Sequence, residues 1–357
     1  MKACREEESP RKRQRGSCHP PEVAGRPAKA TKRKAGTEAE RSSRRKRGHN
    51  HATDPSSSPR GPSSSNSKSK FSILFGHKSR ADFNEKYQML YQLGEGGFGS
   101  VYAGQRRSDL LPVAIKCMPK RKVQIGTFVF DGKEHQIPLE VLIMMTAAGT
   151  AGLKGKSAVV QFKDWYDLGE EVFLVMERPI PCVDLFDHVE DNGGQLDEHR
   201  AKIIMKQLVE AAIDMHDRKM FHQDLKLENI LIQTTSDGPR VRVIDFGCAS
   251  YAKDGPYRGF TGTFQCAPPE VFLTQSFEAV PTTVWQMGAL LFNMVNGGVQ
   301  FDTCDFICSE MQLNNNLSEE CRDLLSMCLA SRPDKRATLE QIRQHPWLSC
   351  SCVNCDK

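Results

Sequence analysis

The feature that most constrains this 357-residue chain is the stretch 221–229, which reads Phe-His-Gln-Asp-Leu-Lys-Leu-Glu-Asn. It places a carboxylate at Asp224, an ammonium group at Lys226 and an amide at Asn229 within six residues, between two apolar runs. Sixteen residues after Asn229 comes Asp245, the first residue of an Asp-Phe-Gly tripeptide. Side chains of these types at this spacing indicate a phosphoryl-transfer centre.

Each of these residues alone is a weak signal, because an aspartate in a polar loop is usually a turn or capping residue. The order of the motifs strengthens the signal. Along the chain we find a glycine-rich loop, then a lysine in an apolar strand, the 221–229 stretch, Asp-Phe-Gly and a Pro-Glu pair. We expect Asp224 to accept the proton of a substrate hydroxyl and Lys226 to lie against the transferring phosphate. Asn229 and Asp245 are the predicted Mg²⁺ ligands.

The glycine-rich loop follows a predicted strand at 87–93 and precedes another. A lone Gly-x-Gly-x-x-Gly is weak evidence, but here it joins two strands, whereas a dinucleotide-binding loop joins a strand to a helix. The pattern favours a hairpin folded over phosphates, with glycines where backbone amides approach the phosphate oxygens. The residues predicted to bind the nucleotide here are Leu93, Gly94, Glu95, Gly96, Gly97, Phe98, Gly99, Ser100 and Val101.

Lys116 lies in the apolar run 112–117, which we interpret as a third strand. An unpaired lysine is costly to bury, so a carboxylate partner is expected. The predicted partner is Glu140, in the apolar segment 138–145, which has the pattern of a helix. This ion pair would leave Lys116 against the α- and β-phosphates of a nucleotide. A surface lysine with only its aliphatic stem buried is the alternative.

The net charge of +5 hides a strong asymmetry. Residues 1–80 contain 21 basic and 7 acidic residues, whereas the remainder contains 28 and 37. Residues 1–70 are rich in Ser, Pro, Arg and Lys, and we predict that this arm is disordered because it has too few large apolar side chains to form a core. Its basic runs are typical of nuclear import signals or nucleic-acid contacts, or of a solvated tail without a partner.

The thirteen cysteines are an odd number scattered along the chain, and no apolar segment follows the N-terminus as in a secretory signal. Free thiols in a reducing compartment are therefore predicted. The cysteines of the tail 349–357 lack a second ligand cluster, which disfavours a metal site. No apolar run approaches the ~18 residues of a membrane helix, so we predict no membrane partner, and a cytoplasmic or nuclear location.

Over residues 87–348 the chain resembles the eukaryotic protein kinases, with the Asp-x-Lys form of the loop found in serine/threonine kinases. The resemblance narrows to the Pim family. It is carried by Glu-Arg-Pro-Ile-Pro at 177–181, Asp-Leu-Phe-Asp at 184–187, Pro-Pro-Glu at 268–270, the pair Thr282-Thr283 in place of the usual aspartate, and His-Pro-Trp at 345–347.

The resemblance implies an α+β, two-lobed kinase fold. It implies a lead-in segment at 71–86, a kinase domain at 87–348 with its N-lobe at 87–176, a hinge at 177–183 and a C-lobe at 184–348. ATP would bind between the lobes, and the adenine side of that site would include Ala114, Glu177, Asp184 and Leu231. Because Pro179 has no N–H, the hinge would lack one usual donor to adenine, so we expect modest ATP affinity.

The resemblance also implies phosphorylation of Ser or Thr near basic residues, and the acidic body supports this independently. We expect three carboxylates at the edge of the cleft: Asp184, Asp187 and Glu228. Ion pairs between these exposed groups and substrate arginines would orient the substrate more than they would strengthen its binding. The family is further known for activity without activation-loop phosphorylation. A monomer is expected.

One residue and one segment depart from the pattern of most kinases. Gln223 replaces the arginine that usually precedes the catalytic aspartate, and the segment 257–263 has no acidic residue for such an arginine to bind. We predict an activation segment held by packing and by an ion pair between Glu270 and Arg336.

Two functions follow from these features: an active serine/threonine kinase, or a pseudokinase that acts as a scaffold on the same fold. The altered residue at 223 favours the second, whereas the retained catalytic groups favour the first. Nucleic-acid binding through the basic arm is a separate and weaker possibility.

Overall fold

The computed structural model describes residues 79–147 and 158–349, so the predictions for the basic arm and the cysteine-rich tail lie outside it. A five-stranded antiparallel sheet forms the N-terminal lobe. Its order is β1 (Tyr87–Gly96), β2 (Gly99–Arg106), β3 (Pro112–Pro119), β7 (Glu171–Glu177) and β6 (Phe162–Asp167). Strands β3 and β7 are apolar because both of their faces are buried, one in each of two hydrophobic clusters.

A short helix, α1 (Arg80–Lys86), precedes the sheet and packs on it through Phe83. Ser79 caps the helix by accepting a hydrogen bond from the Asp82 amide at 3.1 Å. The Phe83 ring contacts Tyr166 and Phe173 edge-on, at centroid distances of 5.3 and 5.1 Å. The lead-in segment therefore contains a helix that the sequence analysis did not predict, because only one of its side chains is fully buried.

A separate hairpin, β4 (Ile125–Phe130) and β5 (Lys133–Pro138), stands between β3 and helix α2 (Leu139–Ala147). Its turn is Asp131-Gly132, both with positive φ, as favoured in two-residue hairpins. Helix α2 buries most of its residues and begins next to Glu140. The hairpin thus delivers the chain to the start of the helix that carries the predicted partner of Lys116.

The C-terminal lobe is mostly helical and also contains a three-stranded and a two-stranded sheet. The strands are β8 (Cys182–Asp184), β9 (Met220–Phe221), β10 (Ile230–Thr235), β11 (Gly238–Val243) and β12 (Ser250–Tyr251). The three-stranded sheet has the order β11-β10-β8, and the two-stranded sheet pairs β12 with β9. The helices are α3 (Leu185–Asp191), α4 (Glu198–Asp217), α5 (Pro269–Leu273), α6 (Ala279–Val295), α7 (Thr303–Ile307), α8 (Glu319–Cys328), α9 (Leu339–Arg343) and α10 (Pro346–Ser349). Short 3-10 turns lie at Lys120–Lys122, Leu227–Asn229, Phe264–Cys266 and Pro333–Lys335.

Helix α6 forms the centre of the C-lobe core. Thirteen of its seventeen residues are buried, among them Trp285, whose indole N–H donates to the Thr303 hydroxyl at 3.1 Å. The eight cysteines in the described ranges are free, and no helix there is long and apolar enough to cross a membrane.

The predicted ion pair between Glu270 and Arg336 is present and buried. The Arg336 guanidinium donates to both carboxylate oxygens, at 2.7 and 2.5 Å. It also donates to three backbone carbonyls and lies 4.9 Å from the Trp285 ring centroid. The pair joins the end of the activation segment to the helical core, and its hydrogen bonds offset the desolvation cost of burying two charges.

Replacing Arg336 with alanine should lower the free energy of unfolding by about 3–5 kcal/mol, because it leaves the buried Glu270 carboxylate without its cation. Urea denaturation monitored by Trp fluorescence measures this. Arg332→Ala is the matched control, since the pair of Arg332 with Asp334 is exposed and its loss should leave the midpoint unchanged. Equal midpoints for Arg336→Ala and the wild type would contradict this interpretation.

Candidate active site

The site is built around the ammonium group of Lys116 on strand β3. Its Nζ donates to both carboxylate oxygens of Glu140, at 2.8 and 3.0 Å, and to Oδ1 of Asp245 at 2.8 Å. Glu140 comes from helix α2 and Asp245 from the segment after β11, so one cation joins three separate elements. The predicted pairing of Lys116 with Glu140 is therefore present in the structure.

The charges of this cluster are mutually stabilised. Burial alone would lower the pKa of Lys116, but Glu140 and Asp245 outweigh it and raise that pKa. Burial raises the pKa of Glu140, and Lys116 offsets part of the rise. For Asp245, burial is outweighed by Lys116, which lowers its pKa. Lys116 thus stays charged at neutral pH, which is the form a phosphate-binding lysine needs.

Asp245 is held in an unusual backbone conformation with φ of +59°. The Gly247 amide donates to its Oδ1 at 3.2 Å, and Phe246 is buried against the His222 ring at a centroid distance of 4.9 Å. His222 is also buried, and its Nε2 lies 3.1 Å from the Ile244 carbonyl. Burial lowers the pKa of His222, so the imidazole is neutral. These contacts direct Asp245 toward Lys116.

The Asp224 carboxylate is fixed by two donors. Its Oδ1 accepts from the Thr263 backbone amide at 2.7 Å, and its Oδ2 accepts from the Asn229 side chain at 3.1 Å. Lys226 lies beside it, with Nζ at 3.8 Å from Oδ2 and 3.0 Å from the Thr263 hydroxyl. The structure thus brings Asp224, Lys226 and Asn229 together, as their spacing predicted.

The residues predicted to hold Mg²⁺ have oxygen atoms available for it. The side-chain nitrogen of Asn229 donates hydrogen bonds to Asp224, and Oδ1 of Asp245 accepts a hydrogen bond from Lys116. No hydrogen bond to the Asn229 side-chain oxygen or to Asp245 Oδ2 comes from any described residue. The Ile244 amide donates to the Asn229 carbonyl at 3.0 Å, so the two ligands lie beside the adjacent ends of strands β10 and β11. A carboxylate and an amide oxygen suit Mg²⁺.

The glycine-rich loop is the hairpin between β1 and β2, with Gly96 opposite Gly99. Gly99 has φ of +143°, and a Cβ there would lie 2.1 Å from the Cys117 carbonyl, so only glycine fits. Added Cβ atoms at Gly94, Gly96 and Gly97 would meet no protein atom within 4 Å. The open backbone at these three positions is what close approach of phosphates requires.

The tip of this loop faces the Asp-Phe-Gly segment. The Phe98 ring lies 5.6 Å from Lys116 Nζ, and Lys122 Nζ donates to the Gly97 carbonyl at 2.8 Å. Leu93 and Glu95 are exposed along strand β1. Val101 is paired with Lys116 in the sheet, so their side chains lie on the same face, whereas Ser100, which is paired with Cys117, points to the opposite face.

The remaining predicted nucleotide-binding residues lie where the two lobes meet. Ala114 is opposite Met176 on the last strand before the hinge, and Leu231 is opposite Asp184 across β10 and β8. Glu177 is anchored from its side chain, because Arg242 donates to its two carboxylate oxygens at 2.9 and 2.6 Å. Two walls of a cleft therefore converge on the hinge.

Three residues of this region were not predicted from the sequence. Thr263 contacts both Asp224 and Lys226, and Arg242 fixes the hinge at Glu177 over a separation of 65 residues. Gln286 is hydrogen-bonded to the backbone on both sides of Asp224. Long-range contacts of this kind have no local sequence pattern, although Thr263 itself lies in the segment 257–263 described above.

Gln223 makes uncharged contacts where an arginine would bind a phosphate. Its side-chain nitrogen donates to the Ser250 hydroxyl at 3.0 Å, and its oxygen accepts from the Thr261 hydroxyl at 3.3 Å. The Cys248 thiol donates to the Thr261 carbonyl at 3.0 Å. At Gln223 the activation segment is thus joined to the catalytic loop (221–229) by neutral hydrogen bonds, in addition to the contacts of Thr263 with the charged groups of Asp224 and Lys226.

Comparison with known proteins agrees with this geometry. A family model described as "Protein kinase domain" matches residues 87–348. Serine/threonine-protein kinase pim-2 of Danio rerio is 37% identical over 285 residues, which cover 79% of this chain and 91% of that protein. Serine/threonine-protein kinase prk-2 of Caenorhabditis elegans is 32% identical over 291 residues, 80% of this chain and 63% of that protein.

The fold and the site therefore define a protein kinase. The chain belongs to the protein kinase family, and within it to the Pim serine/threonine kinases, as the sequence motifs predicted. A more distant relative is serine/threonine-protein kinase PSK1 of Saccharomyces cerevisiae, 32% identical over 266 residues, or 72% of this chain and 19% of that protein. A protein kinase domain implies ATP as phosphate donor and, in general, Mg²⁺.

Lys116→Met should leave Glu140 buried without its cation and lower the free energy of unfolding by about 3 kcal/mol at pH 8. Without Lys116 the pKa of Glu140, already raised by burial, rises further above its unfolded value. The folded state then binds a proton that the unfolded state has released, so this variant regains stability as pH falls from 8 toward 5.

Urea denaturation at several pH values measures this dependence. The double variant Lys116→Met/Glu140→Gln is the control, because it has no buried carboxylate to protonate at position 140. A single variant whose stability follows the same pH curve as the double variant would contradict the assignment.

Proposed function

We propose that this protein is an active kinase that transfers the γ-phosphate of ATP to serine or threonine hydroxyls in substrates with basic residues near the target. The observation that carries the proposal is the joint arrangement of Lys116, Glu140 and Asp245 with the fixed carboxylate of Asp224. A scaffold that binds no phosphate needs neither a buried cation with an open glycine loop beside it nor a carboxylate held by two donors.

The roles follow from the positions of the groups. Lys116 binds the α- and β-phosphates, and the amides of the glycine-rich loop cover them. Asp224 accepts a hydrogen bond from the substrate hydroxyl and takes its proton, while Lys226 offsets negative charge at the transferring group. Catalysis of this type is mainly positioning and electrostatic stabilisation, so pre-formed contacts at Asp224 are what matter.

Asn229 and Asp245 would hold Mg²⁺ through the oxygens that no described residue contacts. The ion supplies charge neutralisation at the phosphates when bound. Within the chain, Lys116 keeps the Asp245 carboxylate ionised and oriented, and the backbone bond from Ile244 keeps Asn229 beside it. Glu177 and the rest of the hinge would receive adenine, with Pro179 offering no N–H there.

An unpaired acidic edge favours basic substrates. Asp184 and Asp187 lie at the start of α3, where the Asp187 amide donates to Asp184 Oδ1 at 2.8 Å, and Glu228 lies in the catalytic loop. Burial raises the pKa of Asp184, and the negative charges of Asp187 and Glu228 act in the same direction. No lysine or arginine of residues 79–147 or 158–349 forms an ion pair with any of the three. Arginines of a substrate would relieve their mutual repulsion.

The neutral contacts of Gln223 favour activity without a phosphate on the activation segment. Thr261 already donates to Gln223, and the segment is anchored further on by Glu270 and Arg336. A phosphate on Thr261 would meet an amide rather than an arginine at position 223. The order that phosphorylation gives to other kinases is, in this proposal, supplied by packing and hydrogen bonds.

The direct test is phosphate transfer from Mg²⁺-ATP to two serine peptides, one with arginines before the serine and one with acidic residues. Transfer to the basic peptide alone is expected, and Asp224→Asn should reduce kcat by about 10²–10⁴-fold while ATP affinity is retained. Asp237→Asn, in an exposed turn, is the matched control and should have wild-type activity.

The same assay tests the activation segment when the enzyme is co-expressed with a phosphatase, and unphosphorylated protein should keep its turnover. Folded wild-type protein that binds ATP but transfers no phosphate would instead favour a pseudokinase. Equal activity of Asp224→Asn and the wild type would refute the role of Asp224.

Asp187→Asn/Glu228→Gln should raise KM for the basic peptide about fivefold, because each exposed ion pair contributes up to about 1 kcal/mol. KM for ATP should stay the same, and the difference between variant and wild type should shrink in ~0.5 M NaCl as the charges are screened. Glu210→Gln/Glu319→Gln, two exposed carboxylates elsewhere, is the control. A KM change that salt leaves intact would argue against electrostatic recognition.

A further inference from the structure

The side chain of Gln286 joins helix α6 to the catalytic loop. It is fully buried. Its Nε2 donates to the Gln223 carbonyl at 2.7 Å, and its Oε1 accepts from the Leu225 amide at 3.4 Å. These two groups belong to the peptide units immediately before and after Asp224, so one amide side chain contacts both sides of the catalytic aspartate.

We propose that Gln286 is a positioning residue for phosphate transfer, which holds Asp224 in register with its donors by fixing the two peptide units that flank it. The inference rests on the proposed kinase activity and adds a residue to its machinery. Gln286 itself contacts neither substrate nor nucleotide in this proposal. Its effect reaches the reaction only through the orientation of the Asp224 carboxylate.

The loop needs such a contact because Gln223 has a strained backbone. Its φ is +68°, a region that costs about 1–2 kcal/mol for a residue other than glycine. The same Gln223 carbonyl is approached by the activation segment, since a Cβ at Gly262 would lie 2.1 Å from it. The hydrogen bond from Gln286 therefore stabilises a peptide unit that is both strained and crowded.

Helix α6 is a rigid support for this contact. Thr283, one turn earlier on the same side, is hydrogen-bonded to His216 at 2.9 Å and to the Ala279 carbonyl at 3.0 Å, away from the loop. Among the residues that the structure describes, Gln286 is the one side chain of α6 with a hydrogen bond to residues 221–229. The side chains of Thr282 and Thr283 form no hydrogen bond to this loop.

Two substitutions separate positioning from packing. Gln286→Leu keeps the volume and removes both hydrogen bonds, so kcat for the basic peptide should fall about 10–100-fold with KM for ATP unchanged within about twofold. Gln286→Glu has a buried carboxyl group whose pKa burial raises. Its neutral form restores both bonds, whereas its anion loses the donor and repels the Gln223 carbonyl.

The ratio of kcat for Gln286→Glu to kcat for the wild type should therefore rise as pH falls from 8 to 6, while the ratio for Gln286→Leu stays flat. Thr282→Val is the matched control, because the buried Thr282 hydroxyl on the same helix has no hydrogen-bond partner. It should have wild-type kinetics. A folded Gln286→Leu with kcat within about twofold of the wild type, or a flat ratio for Gln286→Glu, would overturn the proposal.

Hydrogen exchange of the 221–229 segment in the full-length protein gives a second measurement that does not depend on catalysis. The Leu225 amide should exchange at least about tenfold faster in Gln286→Leu than in the wild type or in Thr282→Val. A wild-type protein that transfers no phosphate would overturn the proposed function, and in that case an unchanged Leu225 exchange rate in Gln286→Leu would separately overturn the positioning role. An active wild type together with unchanged kcat and exchange in Gln286→Leu would overturn the positioning role alone.

Discussion

The ammonium group of Lys116 is the constraint on which the rest of the structure depends. A buried cation without partners costs several kcal/mol, so the fold must bring carboxylates to it. One comes from helix α2 and the other from the end of β11, at 2.8 Å each. Helix α2 is thereby drawn against the sheet, and Asp245 accepts a left-handed backbone conformation in order to reach the lysine.

A second level of organisation comes from the helical lobe. Helix α6 lies in the core and contacts the catalytic loop through a neutral amide, while Arg336 ties the activation segment to the same helix region through a charged pair. The charged contact and the neutral contact each suit their surroundings. The charged pair is enclosed and fully hydrogen-bonded, whereas the loop beside Asp224 is held without adding a charge that would perturb the catalytic carboxylate.

The sequence predicted the fold class, the order of the main elements and the Lys116–Glu140 and Glu270–Arg336 pairs, because each rests on a local motif with a physical requirement. The hairpin Ile125–Phe130/Lys133–Pro138 was not predicted although Asp131-Gly132 is a strong turn signal, because half of the residues in each of its strands are exposed. The roles of Thr263, Arg242 and Gln286 had no local pattern at all. Their partners are 37 to 65 residues away, and only the folded chain brings them together.

The uncharged contacts of Gln223 have a consequence for how the molecule responds to its ionic surroundings. Dissolved ions weaken attraction between exposed charges over a Debye length of about 8 Å at physiological salt, but they leave hydrogen bonds between neutral groups nearly untouched. The hydrogen bonds of Gln223 with Ser250 and Thr261 should therefore persist at high salt as in dilute buffer. Salt should leave the order of the activation segment at Gln223 unchanged, whereas it should weaken the contacts that a substrate makes with the acidic edge.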